Sequence, residues 1–436
     1  VGSAVGLGNV WRFPAEAQAG GGAAFLLIYI LCILLLGIPV MLAEFSLGRA
    51  GGTDAIGAFR NLSRKSHWWI VGAAAILTSY LILCFYMVVA GWTFEYMWQS
   101  VTGYLYTPVE TGGNYGMQFS ARMHEFIQDD TAPLINTYIM ILLNLGILIG
   151  GVRKGIERLS NILMPVLFIL LVIFCGVSLS LPRAEEGLAF FLRPDLSHIT
   201  PGVCLNALGQ AFFSLSLGMG ILITYSAYYP RTTNLTRTAV TVSLLDLLVA
   251  VMMGIIIFPA IKSFGMEDHS LAGPTLVFVT LPEVFARMGN APLWSGLFFL
   301  LLTVAALTST ISIAEVSVKF IQDRFSMSRI KSCLIVILPL FVLSALCSLS
   351  QGSLSHVTIF GLNIFDFLDN LTSNIMLPAG SLLLCIYMGW YAPKNLLISE
   401  LGNYGTIQSR MPALIRFIIR YLAPVLIACV LITPLL

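Results

Sequence analysis

The chain has 436 residues, of which 58% are hydrophobic and only 10% charged, with a mean hydropathy of +0.90 and a formal net charge of +2. A soluble domain carries roughly 25% charged residues, so this composition excludes an ordinary water-soluble enzyme or binding module. No basic arm is present, and no nucleic-acid partner is expected.

Apolar stretches of about 20 residues, long enough to span a bilayer, recur from end to end. They predict eleven helices near 1–18, 23–48, 68–100, 134–150, 157–181, 203–229, 238–262, 293–320, 332–349, 360–391 and 414–434. The runs are continuous and do not alternate, which excludes a β-barrel. The first is too short for an intact span and lacks an initiator Met, so the chain is expected to begin partway into its first helix. It has no charged n-region and no Ala-x-Ala site, which argues against a leader peptide.

Two of these segments contain helix breakers. Gly2, Gly6 and Gly8 interrupt the first, each lowering helix stability by roughly 1 kcal/mol relative to Ala. Ser214-Leu215-Ser216-Leu217-Gly218-Met219-Gly220 interrupts the sixth. Broken membrane helices are tolerated only where freed backbone groups meet protein, water or ligand. A pair of them in corresponding halves points to a transporter's substrate site.

Charge orients the chain. Sixteen Lys and Arg fall in 49–67, 151–158, 230–238, 319–331 and 390–416, against five in 101–133, 182–201 and 262–290. The first set is therefore expected in the cytoplasm, with the amino-terminal end inside and the carboxyl end outside. The eight cysteines (Cys32, Cys84, Cys175, Cys204, Cys333, Cys347, Cys385, Cys429) lie within or beside apolar helices with no CxxC, and read as small hydrophobes. The sequons at Asn61 and Asn234 fall on the cytoplasmic side and that at Asn370 inside a helix, which favours a bacterial inner membrane. His67, His124, His198, His269 and His356 show no metal-ligand spacing, and no HExxH, Walker lysine loop or nucleophile elbow occurs. An enzyme is not expected, and ATP-driven transport would need a partner chain.

The informative minority is polar. Asn9, Arg12, Glu44, Glu95, Asp246, Asp366, Asp369 and Thr308-Ser309-Thr310 lie in apolar stretches, where a central charge costs roughly 2.5–3.5 kcal/mol. Asp246, between Leu245 and Leu247, needs either a bound cation or a buried Arg or Lys. The hydroxyls of 308–310 could bond the preceding helical turn or a ligand.

Gly-Ser-Ala-Val-Gly-Leu-Gly-Asn-Val-Trp-Arg-Phe-Pro (2–14) resembles the first-helix signature of the neurotransmitter:sodium symporter family. Gly-Ile-Pro-Val-Met-Leu-Ala-Glu-Phe-Ser-Leu-Gly-Arg (37–49) resembles its second helix, and Phe85-Tyr86 with Gly91-Trp92 its third. Gly155-Ile-Glu-Arg with Met164-Pro165 resembles the fifth, 210–218 the sixth, Leu307-Thr-Ser the eighth and Phe365-Asp-Phe the tenth. The likeness runs through the whole chain in order. It implies an all-α polytopic membrane protein with the LeuT fold: a 5+5 inverted repeat with broken first and sixth helices, plus an eleventh helix. The first repeat would occupy 1–181, an extracellular loop 182–202, the second repeat 203–391, and a cytoplasmic loop with the last helix 392–436.

The resemblance implies two sodium sites. The first would use the Ala4 carbonyl, Asn9, Ser214, Asp246 and the substrate carboxylate; the second would use the carbonyls of Gly2, Val5 and Ala305 and the hydroxyls of Thr308 and Ser309. Unwound backbone supplies carbonyls that a regular helix withholds. Leu7 and Gly8 amides and the Tyr86 hydroxyl would hold a substrate carboxylate, while carbonyls near Ser3 and the broken sixth helix would hold the amine. Gly6 stands where monoamine carriers of the family place an aspartate, so a substrate with its own carboxylate is favoured. Ile82, Phe85, Phe213, Ser214, Ser216, Met219, Ser309, Thr310 and Ile313 would line an uncharged pocket. Arg12 with Asp366 matches the outer gate, and Tyr228 and Asp323 match inner-gate positions. Gly155 and Pro165 match a pair that unwinds the fifth helix.

There are departures. Gly20-Gly-Gly-Ala-Ala-Phe25 replaces Asn-Gly-Gly-Gly-Ala-Phe, and Glu16 replaces a polar amide near the gate. Asp246 supplies a fixed negative charge, Ala250 takes the position of chloride's substitute, and Tyr29, Gln210 and Ser214 resemble chloride-site residues, so chloride is not expected to be required. The implied function is sodium-coupled import of a neutral, hydrophobic L-amino acid by alternating access, as a monomer or weak dimer in lipid. A proton-coupled carrier of the same fold, against which the lack of Lys or Arg in 159–181 counts, and a substrate-sensing or channel-like homologue are the alternatives.

Overall fold

The computed structural model describes residues 6–63, 66–107, 115–265, 275–405 and 411–432. Gly2, Ser3, Ala4, Val5 and His269 lie outside the described residues. A π turn, Gly8–Arg12, leads into helix α1 (Phe13–Ala19). Pro14 falls in the first turn of α1, the one place where a missing N–H does no harm. Ahead of it the Asn9 side chain stands in for helical partners: Gly6 N–H donates to Asn9 Oδ1 (3.2 Å), and Asn9 N–H to Gly6 O (3.2 Å).

Gly21 and Gly22, at φ +77° and +61°, turn the chain into α2 (Ala23–Gly51). A π turn at Ile33–Gly37 precedes Pro39, as expected where proline removes a donor from the ladder. Helix α3 (Trp69–Val101) has 33 residues, about 50 Å at 1.5 Å per residue, and so exceeds a bilayer core and must tilt. Helices α4 (Ala132–Ile149) and α5 (Gly155–Leu179) follow, the latter entered by a π turn at Val152–Glu157 and carrying Pro165.

Helix α6 (Pro201–Ser214) starts at a Thr200 cap whose hydroxyl accepts from Val203 N–H, and stops at Ser214. Residues 215–220 are unwound, with Ser216, Gly218 and Gly220 at φ +56°, +80° and +72°, before α7 (Ile221–Ser226) resumes. A left-handed serine costs roughly 1–2 kcal/mol, so packing must hold it there. The chain continues through α8 (Leu235–Phe264), α9 (Ala291–Phe325), α10 (Arg329–Leu349), α11 (Ile364–Tyr391) and α12 (Pro412–Ile432).

Nine helices among the described residues are long and apolar enough to cross a membrane. The two remaining expected spans are the broken ones. Helices α9 and α3 form the centre, with 83% and 72% of their most apolar stretch buried, whereas α5 and α12 sit at the rim with 33% and 28%. The rim is apolar outward: Ile169, Val172, Val342 and Val425 are exposed, a surface suited to lipid and not to water. This is a multi-pass membrane protein.

Connections carry more structure than the sequence reading expected. The segment 182–202 contains a helix, Ala184–Leu192, whose Phe191 packs 5.2 Å from the Phe258 ring of α8. Such helices are too short to show as spans. The stretch expected to open the tenth helix at 360 is instead a hairpin, Thr358–Ile359 paired with Leu362–Asn363; Asn363 then caps α11 by accepting from Asp366 N–H at 2.8 Å.

Candidate functional site

The two breaks meet at the centre of the bundle. Asn9, Ser214 and Asp246, brought from the first break, the end of α6 and the middle of α8, are all buried, Asp246 completely. Asn9 Nδ2 donates to Asp246 Oδ1 at 2.8 Å and to Ser214 Oγ at 3.0 Å. Ser214 Oγ donates to both Asp246 oxygens at 2.8 and 2.9 Å, and Tyr29 Oη from α2 to Oδ2 at 3.3 Å. The carboxylate is thus fixed in place by neutral groups. No Lys or Arg pairs with it among the described residues. Of the two partners open to Asp246 in the sequence, the basic side chain is not found among the described residues.

Gln210 Nε2 donates to Gly8 O at 2.9 Å, while its Oε1 is buried without a hydrogen-bond partner among the described residues. This amide ties α6 to the π turn, so the two broken segments are linked through Gln210 as well as through Asn9 and Ser214.

The hydroxyl cluster on α9 divides. Thr308 Oγ1 donates to the Ala305 carbonyl at 3.0 Å and Thr310 Oγ1 to the Leu307 carbonyl at 3.0 Å, the usual back-bonding within a helix. Ser309 Oγ is buried with no partner among the described residues. It faces Gly6, where an added Cβ would come within 2.6 Å of it and 3.1 Å of Tyr86 Oη. That closeness explains glycine at position 6.

A cavity of about 30 Å³ lies between these groups. Gly6, Gly8, Tyr86, Ser214, Ser216 and Ser309 form its polar wall; Ile82, Phe213, Met219 and Ile313 form its apolar wall. No charged side chain lines it. Leu7 N–H donates to Tyr86 Oη at 3.2 Å just beside it. Phe85 and Thr310 do not reach this cavity: Phe85 packs on Phe365 with ring centroids 5.5 Å apart, and Thr310 is turned into its own helix.

At the end expected to face outward, the Arg12 guanidinium carbon lies 4.7 Å from the Phe213 ring centroid, stacked over it. Asp366 is exposed and accepts from Asn363 Nδ2 at 2.8 Å, so Arg12 and Asp366 form no ion pair here. Glu16, one turn beyond Arg12, accepts from Asn206 Nδ2 at 3.1 Å.

At the end expected to face the cytoplasm, Tyr228 Oη donates to Glu315 Oε1 at 3.0 Å, and Glu315 is held by Arg329 at 2.6 and 2.8 Å. Lys319 bonds Asp323 at 3.0 Å and lies 4.7 Å from the Tyr228 ring centroid, joining the two gate positions. Asp323 also accepts from Asp54 N–H (3.0 Å) and Thr53 Oγ1 (2.8 Å). Burial, with Asp323 nearby, raises the Asp54 carboxyl above the ordinary aspartate range, although it caps the helix Ala55–Leu62. A second cavity of about 530 Å³ runs along α5 past Ser160, Asn161, Met164 and Pro165 to Tyr225 and Ser312. Ser312 Oγ donates to the Thr308 carbonyl at 2.9 Å, so this cavity reaches within one helical turn of Thr308.

Sequence reasoning noted Glu44 as a buried charge without giving it a role. Its Oε1 accepts from Gly218 N–H at 2.7 Å, pinning the unwound stretch to α2, and its Oε2 has no partner among the described residues. Glu315, Arg329 and the buried pair Arg49–Glu400 (2.6 Å) were not singled out at all. Arg49 and Arg329 lie near helix ends and Glu400 in a short helix, where they look like ordinary interfacial charges, whereas Glu315 lies inside the apolar stretch of α9 and its charge there was a signal.

Comparison with known proteins agrees with this architecture. The chain matches the sodium:neurotransmitter symporter family over residues 1–114 and 110–436. It is 36% identical over 429 residues to the uncharacterized sodium-dependent transporter YhdH of Bacillus subtilis, covering 98% of this chain and 93% of that protein. An uncharacterized sodium-dependent transporter of Methanocaldococcus jannaschii is 34% identical over 399 residues, covering 89% and 79%. The crystal structure of MhsT in complex with L-phenylalanine superposes with a TM-score of 0.89 at 40% identity, covering 99% of this chain and 96% of that one. The relatives are transporters and not enzymes, and the fold is the LeuT fold that the motifs implied. With two broken helices meeting at a buried unpaired carboxylate, and likeness over its whole length, the chain belongs to the sodium:neurotransmitter symporter family and is a sodium-dependent transporter.

Proposed function

We propose that this transporter imports a neutral, predominantly apolar L-amino acid together with sodium. One observation carries the reading: Asp246 is fully buried, oriented by Asn9, Ser214 and Tyr29, and has no basic partner among the described residues. A buried carboxylate left so is costly by several kcal/mol, and a bound cation offsets it. Asn9, Ser214 and Asp246 supply hard oxygens to a first sodium. The hydroxyls of Thr308 and Ser309 with the Ala305 carbonyl supply a second, for which the unpartnered Ser309 Oγ is the supporting feature. The remaining carbonyl ligands, of Gly2, Ala4 and Val5, and the Ser3 carbonyl for the substrate amine, are carried by the resemblance alone. Asp246 gives the first site a permanent negative charge, so chloride is not required.

The uncharged cavity supports the substrate class. Gly6 and Gly8 bring backbone to the cavity wall, and the Leu7 and Gly8 amides with Tyr86 Oη would take the carboxylate of the substrate. Ile82, Phe213, Met219 and Ile313 offer only apolar contact, and a charged side chain would be left unpaired. As it stands the cavity holds about one water molecule, so Phe213 and Met219 must move to admit a substrate. Arg12 pairing with Asp366 closes the outer side, and release of Tyr228 and Asp323 opens the inner. The cavity past Pro165 is the water path to the second sodium. The two repeats, 1–181 and 203–391, rock around this fixed centre. The Lys and Arg distribution supports an amino-terminal end inside, and the placement of the three sequons supports a bacterial inner membrane.

The test is uptake of radiolabelled neutral amino acids into proteoliposomes with sodium or choline outside. Sodium-dependent accumulation above equilibrium, lost in Asp246→Ala, is expected. Accumulation driven by a pH gradient without sodium, or binding without accumulation, would overturn the reading.

A further inference from the structure

We propose that the surface where α11 ends and α12 begins is a headgroup site for an anionic phospholipid, with Arg420 binding the lipid phosphate. The inference is independent of which substrate is carried. Two π turns face each other here, Tyr387–Tyr391 closing α11 and Ile418–Leu422 within α12. They approach closely because of Gly389, where a Cβ would come 2.8 Å from Arg420 Cα. Such π turns present side chains in directions a regular helix does not.

Between them the Arg420 guanidinium is stacked 4.0 Å from the Trp390 ring centroid and 5.4 Å from that of Tyr421. Trp390 Nε1 donates to the Arg420 carbonyl at 3.2 Å, which fixes the indole under the guanidinium. Arg420 Nε is buried without a hydrogen-bond partner, and no carboxylate pairs with this arginine among the described residues. The sequence from 387 to 432 contains one acid, Glu400. That residue is already bonded to Arg49 and Tyr404. On the neighbouring α2, Glu44 accepts from Gly218 N–H through Oε1 and forms no ion pair with Arg420.

Two more cations flank the site. Arg416 lies one turn before Arg420 on the same helix face and donates to the Lys394 carbonyl at 3.4 Å, and Lys394 is exposed. Three cations, none paired with an acid among the described residues, and two half-exposed aromatic rings thus meet where α11 leaves the bilayer. Trp and Tyr mark the headgroup level and arginine side chains reach up to it. At that depth the abundant anion is a phosphodiester, and guanidinium binds phosphate through paired N–H donors. By the charge bias of the loops this is the cytoplasmic leaflet.

The experiment reconstitutes the full chain in nanodiscs of equal phosphatidylglycerol and phosphatidylcholine, releases it, and counts retained lipids by native mass spectrometry. Phosphatidylglycerol is expected to be enriched on the wild type. Arg420→Gln is expected to lower that enrichment about fivefold, the order of effect of one cation at an anionic surface. Arg420→Lys should keep part of it. If Arg420→Gln does not fold, Arg416→Gln with Lys394→Gln provides the same readout on the rim. Equal retention of both lipids, or enrichment unchanged by these substitutions, would overturn the site; it would leave Arg420 as an aromatic-stacked anchor only. Displacement of the lipid by millimolar inorganic phosphate would overturn it too, since a soluble anion would then be the ligand.

Discussion

Asp246→Asn separates the charge of the central site from its shape. The amide keeps the carboxylate's size, and the groups around it can adapt: Ser214 and Tyr29 hydroxyls both donate and accept, while Asn9 can continue to donate to the remaining oxygen. What is lost is one negative charge. A unit charge pair about 4 Å apart at an effective dielectric of about 20 interacts by about 4 kcal/mol. At 1.4 kcal/mol per decade, sodium affinity should fall by roughly 100- to 1000-fold, the lower figure allowing for coordination by the amide oxygen. Stability should move the opposite way when sodium is absent, because an uncompensated buried charge has been removed. The assay is thermal denaturation in detergent across a sodium titration, with wild type and variant side by side. The variant should melt higher than wild type in choline and gain less from sodium, keeping only the stabilisation that the second site supplies. A sodium titration that superposes on the wild type's, or a variant that melts lower without sodium, would refute the idea that Asp246 is a cation ligand.

Replacing chloride with gluconate should leave wild-type uptake unchanged, whereas uptake by Asp246→Asn, measured at high sodium, should become anion-dependent. Arg49→Ala leaves Glu400 buried and unpaired, a loss of about 3–5 kcal/mol that should appear as a large fall in melting temperature; adding Glu400→Gln should recover part of it. Gly8→Ala places a methyl 2.9 Å from the Phe213 ring, and overpacking of 1–3 kcal/mol predicts about tenfold weaker substrate binding, by competition assay, with sodium stabilisation retained. Asp54 has a carboxyl pKa raised by burial. The folded state therefore holds its proton more tightly than the unfolded chain, and stability falls as pH rises from the ordinary aspartate range through the raised value. Asn caps helices as well as Asp, so Asp54→Asn should match wild type in acid and exceed it at neutral pH in pH-dependent melting.

Much of the fold could be read in the sequence because membrane helices announce themselves by length and hydropathy. The breaks were legible for the same reason: Gly6, Gly8, Gly218 and Gly220 sit in stretches where a helix former would otherwise be expected. Asp246 stood out because it lies between Leu245 and Leu247 on a helix that is otherwise apolar to Pro259. The helix Ala184–Leu192 was not legible, since nine residues with a mixed face look like any loop. Ser216 at φ +56° was equally hidden, as no serine signals a left-handed backbone. The cavity wall shows a further limit. Phe85 and Thr310 occupy pocket positions by motif, yet Phe85 turns towards Phe365, a partner distant in sequence, and Thr310 back to the Leu307 carbonyl of its own helix.

Two sets among the charges inside the described residues differ in a way that carries a physical meaning. Arg49 with Glu400, and Arg329 with Glu315, each bring their own counter-charge from another element, so each pair holds elements together with no ion from outside. Asp246 and Glu44 have only neutral donors, and both lie against the breaks: Asp246 receives Asn9 and Ser214, while Glu44 receives the Gly218 amide. A fixed negative charge beside unwound backbone makes the centre attractive to cations. It also leaves the broken segments dependent on whatever compensates that charge. If Asp246 were only structural, replacing it by a neutral isostere should strengthen the protein and change nothing else. If it is the ion's ligand, the same replacement strengthens the empty protein and removes the ion's effect. The same logic separates Glu44: Glu44→Gln should stabilise the protein with and without sodium alike, since its one hydrogen bond is to backbone and it touches neither Asn9 nor Ser214 in the described contacts. A sodium-dependent difference for Glu44→Gln in the same melting assay would show that the second carboxylate also senses the ion, through the 215–220 stretch that it pins.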